Sequence, residues 1–232
     1  MNSKKKNARI AGVLYLLIAV TGGFGIMYTQ SSILVPNDAA ATASNLIDSE
    51  FMFRLSILSN LISQALTIFL VLTLSRLFKD VNRKLNKYMV TLVLVAIPIS
   101  FLNVLNLVAA QMFVGGADFL QVFDSDQLNS FALVFLNLYE VGISVVSVFW
   151  GLWLFPFGML IIKSKFIPKI IGIFLVVGCF AYIIDSIISI LLPEYKEAVS
   201  SIIMIPLAIG EFSAILWLLI KGVKEDKQTL NV

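Results

Sequence analysis

SFALVFLNLYEVGISVVSVFWGLWLFPFGMLII, residues 130–162, holds one charged side chain, Glu140, in an otherwise apolar stretch. About 20 such residues, wound as a helix, cross the hydrocarbon core of a bilayer. This stretch is long enough to cross with a tilt, or to begin outside the hydrocarbon. Five more windows repeat the pattern, at 9–29, 51–75, 88–113, 167–192 and 199–220. The whole chain of 232 residues is 59% hydrophobic and 13% charged, with a mean hydropathy of +0.95. A water-soluble domain carries nearly twice that share of charge. The sequence therefore predicts an all-α, polytopic helical bundle of six transmembrane helices. Residues 1–232 read as a single domain, with no room for a soluble one.

Charge placement predicts the threading. Lys4, Lys5, Lys6 and Arg9 precede the first span. Arg76, Lys79, Arg83, Lys84 and Lys87 join the second to the third. Lys163, Lys165 and Lys169 join the fourth to the fifth, and Lys221, Lys224 and Lys227 follow the sixth. Of the 17 basic residues only Arg54 and Lys196 fall on the other side. That side carries Asp38, Asp48, Glu50, Asp118, Asp124, Asp126, Glu194 and Glu197. The positive-inside rule then puts both termini in the cytoplasm, which an even number of crossings permits. The first span has the charged start of a leader, yet its apolar run is long and no A-x-A site follows, so it reads as a retained helix. Tyr28 and Tyr195 would mark the outer interface, and Tyr88, Trp153 and Trp217 the inner one.

Between the first two spans lies PNDAAATASNLIDSEFMFRL (36–55). Pro36 ends one helix and Asn37 or Asp38 caps the next, which predicts a short extracytoplasmic helix running into the second span. Asp38, Thr42 and Asn45 share one face of it. That face is either a solvated cap or a surface for a partner.

The spans themselves contain polar side chains, each of which costs free energy in hydrocarbon. They are Asn60 and Gln64, Asn103 and Asn106, Asn137 and Glu140, and Asp185 and Glu211, with Arg54 at the rim. With the threading above and a rise of 1.5 Å per residue, Glu211 lies about 18 Å below the outer surface and Asp185 about 10 Å, with Glu140 at a similar depth. Asn137, Glu140, Ser144 and Ser147 form one helical stripe; Ser56, Asn60 and Gln64 (or Ser63) form another; Tyr182, Asp185 and Ser189 a third. Arg54 is expected to pair with Glu140 or Asp185. The remaining acids must stay protonated, bind a cation or reach water. Pro206 frees the carbonyl of Ile202 and is expected to kink the last helix beside Glu211, as Pro98 does in the third span.

Composition also narrows the chemistry. The chain has no histidine, so triads, haem ligation and nearly all zinc sites are out of reach, and the single Cys179 allows no intramolecular disulfide. No nucleophile, zinc-protease or phosphate-loop motif occurs, which argues against an enzyme. No cofactor or metal is expected. The basic loops flank spans and lack aromatic platforms, so they suit anionic lipid headgroups rather than nucleic acid.

FPFGMLIIKSKFIPKIIGIFLVVGCFAYIIDS (155–186) resembles a particular bacterial membrane family, the domain-of-unknown-function family numbered 4386. The resemblance rests there on Phe166, Ile167, Pro168, Lys169, Gly172, Tyr182 and Asp185. It extends to Pro206, Gly210 and Glu211 before WLLIKGV, to ARIAGVLYLL at the start, and to VPNDAAATASNL with Phe53 and Arg54. It implies a multi-pass protein of the bacterial cytoplasmic membrane, and it implies no activity.

Two functional expectations follow. One is a small transporter or ligand-binding protein with an outward-facing polar cavity, its acids taking a proton, a cation or a small molecule. The other is a non-catalytic accessory, sensor or envelope-stress protein that works through Asp38, Thr42 and Asn45. Apart from the lipid bilayer, sequence leaves the partners and the oligomeric state open.

Overall fold

A computed structural model describes residues 3–223; Lys224 and Lys227, counted above among the cytoplasmic charges, lie outside them. The structure is 89% helical and no strand occurs among the described residues. That is what hydrocarbon demands of an unclosed chain, because an α-helix satisfies its own backbone N–H and C=O groups. The helices are α1 (Ser3–Tyr28), α2 (Ala39–Asp48), α3 (Glu50–Phe78), α4 (Arg83–Val114), α5 (Ser125–Ser164), α6 (Lys169–Leu191) and α7 (Lys196–Leu216). All but α2 are long and apolar enough to span a membrane, so this is a multi-pass membrane protein with the six spans expected. The first and last spans each end in a wider π turn, over Thr29–Ile33 and Trp217–Lys221.

Helix ends overshoot the apolar windows because polar side chains cap them. Asn82 Oδ1 accepts the Leu85 N–H at 2.9 Å and so opens α4 before the apolar run begins. At α5, Asp124 Oδ1 accepts the Gln127 N–H at 2.8 Å while Gln127 Oε1 accepts the Asp124 N–H at 3.1 Å, a reciprocal capping box. α5 therefore runs for 40 residues, about 60 Å, roughly twice the hydrocarbon thickness. It continues through Pro156, α4 through Pro98 and α7 through Pro206.

The chain divides into two compact units. The first comprises residues 1–17, 66–97 and 144–232; the second comprises 18–65 and 98–143. α1, α3, α4 and α5 contribute residues to both. The second unit is organised around Ile33, Leu46, Phe53, Leu107, Leu136 and Tyr139, all buried. In the first unit α6 and α7 form an antiparallel hairpin, with Phe174 against Gly210, Gly178 against Leu207 and Asp185 against Ser200.

Lipid offers no hydrophobic drive to hold helices together, so close backbone approach must do so. Gly158 on α5 and Gly172 on α6 provide it: a Cβ on the first would lie 2.5 Å from the Gly172 carbonyl, and one on the second 2.6 Å from that of Gly158. By contrast, a Cβ on Gly23 would meet nothing within 4 Å. Gly158→Ala is therefore expected to destabilise the protein by about 1–3 kcal/mol through overpacking. Gly23→Ala is expected to be neutral or slightly stabilising, since alanine is the better helix former. Thermal unfolding in detergent checks this pair; equal melting temperatures would contradict the seam.

Candidate functional site

The intramembrane polar residues assemble as two groups, one in each unit. In the second unit, α5 presents Tyr139 and Glu140 side by side. The Tyr139 hydroxyl donates to Asn60 Oδ1 at 3.4 Å, and Asn60 Nδ2 donates to the Ser56 carbonyl at 3.1 Å. From α4, Asn103 Nδ2 donates to the Tyr139 carbonyl at 3.0 Å and Asn103 Oδ1 accepts from Asn106 Nδ2 at 3.0 Å. Gln30, in the π turn that ends the first span, donates to Glu140 Oε2 at 2.7 Å. Tyr139, Asn60 and Asn103 are buried. Two glycines make room for the amides. A Cβ on Gly25 would sit 2.6 Å from Asn60 Nδ2, and one on Gly142 would collide with the Asn103 amide.

This group corrects the sequence expectation for Arg54. Its guanidinium pairs with Glu50, one turn earlier on α3, and not with Glu140 or Asp185. Both side chains are open, Arg54 at 64% exposure, so the arginine has no buried charge to neutralise. A pair of that kind contributes at most about 1 kcal/mol. Asn137 is exposed although it shares a stripe with the buried Ser144 and Ser147, and Gln64 is half-buried. Helical period gives the angle of a side chain; it does not say which neighbour covers that level of the helix.

The first unit holds the other two acids. The Tyr15 hydroxyl donates to Glu211 Oε1 at 2.7 Å, joining α1 to α7. The Tyr15 ring tilts against Trp153 at 6.1 Å between centroids, and Trp153 stacks on Phe157 at 5.2 Å. Trp153 is thus a buried packing residue rather than a marker of the inner interface. Asp185 on α6 accepts a short hydrogen bond from the Ser200 hydroxyl on α7. Tyr182, one turn before Asp185, packs edge-on to Trp150 at 6.3 Å between ring centroids. Among the described residues, neither acid has a lysine or arginine partner. Nor do any three Cys, Asp or Glu side chains among them converge as a metal site.

Sequence reading passed over Tyr15, Gln30, Tyr139, Trp150 and Ser200. In an apolar run a tyrosine or tryptophan reads as hydrophobic, so only the polar tip, once a partner is known, reveals its role.

The short helix α2 has the cap that sequence predicts: Asp38 Oδ1 accepts the Ala41 N–H at 2.9 Å. Its polar face turns toward the chain, however. The Thr42 hydroxyl, 0% exposed, accepts from the Val35 N–H at 3.0 Å and donates to the Val35 carbonyl at 3.2 Å. Asn45 Nδ2 donates to the Ile33 carbonyl at 3.1 Å. Thr42 and Asn45 therefore hold α2 on the end of the first span, satisfying backbone groups that the span's end leaves open. Asp38 alone stays exposed.

The crowding at Gly142 gives a sharp test. Gly142→Ala is expected to cost about 1–3 kcal/mol because the Asn103 amide must move. In an Asn103→Ala background the same change should cost almost nothing. If the penalty persists there, as read from thermal unfolding, the two residues are not in contact.

The model of the family described as Domain of unknown function (DUF4386) matches residues 10–222, nearly the whole chain, and the chain belongs to that family. Comparison with curated proteins and with solved structures gives no match.

Proposed function

We propose that this DUF4386 member is a small transporter or an ion- or ligand-binding protein of the bacterial cytoplasmic membrane, with both termini in the cytoplasm. The orientation is supported by the basic residues that cluster at alternate connections. The single observation that carries the functional reading is the Tyr15–Glu211 hydrogen bond between two membrane spans. Interhelical hydrogen bonds in membranes contribute only about 0.6 kcal/mol on average, so a glutamate is an inefficient way to fasten helices. A carboxyl with a hydroxyl donor and no cationic partner is instead suited to taking up a proton or a monovalent cation.

In this reading Glu211 is the binding acid and Tyr15 holds it in place. Asp185, oriented by Ser200, is a second acid of the same unit. Of the acids in the spans, this reading assigns binding to Glu211 and Asp185 alone. Glu140 and its amides form a separate network, and Arg54 is engaged by Glu50. The accessory or sensor reading depends on the Asp38, Thr42 and Asn45 face, and two of those three side chains are bonded to the chain's own backbone.

Reconstitution tests the proposal. Purified protein in liposomes loaded with a pH-sensitive dye should carry protons, or take up a monovalent cation, faster than empty liposomes. Glu211→Gln should abolish the flux, Tyr15→Phe should lower it several-fold, and Arg54→Ala should leave it unchanged. Wild-type flux no greater than that of empty liposomes, across a broad panel of cations, would sink the reading.

A further inference from the structure

The connection between α4 and α5, residues 115–124, turns large apolar side chains outward. Val122 is 82% exposed and Phe119 66%, and Phe123 is exposed as well, while Leu120 between them is buried. The backbone turns through a single 3-10 turn at Asp118–Leu120. Three i to i+3 bonds close it: Leu120 N–H to the Ala117 carbonyl at 2.9 Å, Gln121 N–H to the Asp118 carbonyl at 3.2 Å, and Phe123 N–H to the Leu120 carbonyl at 3.0 Å. The polar side chains are likewise engaged inside the segment. Gln121 Nε2 donates to Asp118 Oδ1 at 3.2 Å, and Asp124 is taken up in the capping box of α5. Asp118, Gln121 and Asp124 are exposed beside Phe119 and Val122, so the connection is amphipathic and suited to the boundary between water and hydrocarbon.

The position of the segment says which medium covers it. It joins the last residue of one membrane span to the start of the next, both in the same unit. The exposed apolar surface of those spans, with Met112 on α4 and Phe131 and Val134 on α5, leads toward it. That surface faces lipid in a multi-pass protein, since exposed apolar patches of this extent are otherwise covered by a partner. We propose that residues 117–123 rest on the bilayer, with Phe119 and Val122 inserted at the boundary between headgroups and acyl chains. Asp118 and Asp124, which flank them, would stay on the water side. The segment thus acts as an interfacial anchor for the ends of α4 and α5, in the manner of amphipathic segments lying in the membrane plane.

Spin labels test this directly. Val122→Cys and Phe119→Cys, each in a Cys179→Ala background, are nitroxide-labelled and reconstituted in vesicles of phosphatidylcholine and phosphatidylglycerol. Collision rates with oxygen and with a water-soluble nickel chelate are then compared. At both positions oxygen should exceed the chelate several-fold, with the order reversed at Asp126→Cys. Chelate exceeding oxygen at residues 119 and 122 would place the segment in water and overturn the proposal. Low access to both reagents would overturn it equally, by showing a protein partner or a second copy of the chain on this surface. Because the cysteine-free background changes a buried position, Phe119→Trp in the otherwise native chain supplies an independent reading. Its added fluorescence should be quenched by brominated lipid, and an unquenched signal contradicts the proposal.

Discussion

In hydrocarbon there is no water to satisfy a donor or acceptor, and that constraint sets most of what is seen in this protein. A polar atom carried into a span costs free energy unless a partner in the chain or a ligand meets it. Main-chain groups meet the demand by forming helices. Side chains meet it by reaching across to a second helix: Tyr15 to Glu211, Ser200 to Asp185, Tyr139 to Asn60, and Asn103 to the Tyr139 carbonyl. The glycines follow from the same demand. Gly25 and Gly142 give the amides of Asn60 and Asn103 their space, and Gly158 and Gly172 bring two backbones into contact where lipid provides no drive.

The acids divide on this basis. Glu140 is bonded to Gln30, beside a network of amides that can act as donor and acceptor at once. Asp185 and Glu211 each receive a hydroxyl, which can donate one bond to a carboxylate but brings no positive charge. The binding role is assigned to the second pair because both acids belong to one unit and each is oriented by a hydroxyl on another helix.

How much of this was legible in the sequence depends on the scale of the feature. The six spans follow from apolar length, and the cap at Asp38 from residue type, and both are present. The family follows from short motifs spread along the chain, and the match over residues 10–222 agrees. Partners were less legible. Depth along the bilayer normal matches Arg54 to a distant acid, while Glu50, one turn away on the same helix, reaches it first. The apolar run marks only part of α5, because the Asp124–Gln127 box extends the helix beyond it. Trp153 looked like an interface residue by type and is packed against Phe157. Thr42 and Asn45 looked like a surface because they share a face, and that face closes on residues 33 and 35. Periodicity fixes which side chains share an angle; only the fold fixes what stands opposite.

The central claim is that Tyr15 and Glu211 act on each other across two spans, and a double-mutant cycle measures that interaction most directly. Unfolding free energies of the native chain, Tyr15→Phe, Glu211→Gln and the double variant, taken in one bilayer or detergent, give the coupling energy. The account predicts a favourable coupling of about 0.5–1.7 kcal/mol, the range found for hydrogen bonds between membrane helices. Strict additivity of the two substitutions would contradict it, and the assignment of Glu211 as the binding acid would then lose its structural basis.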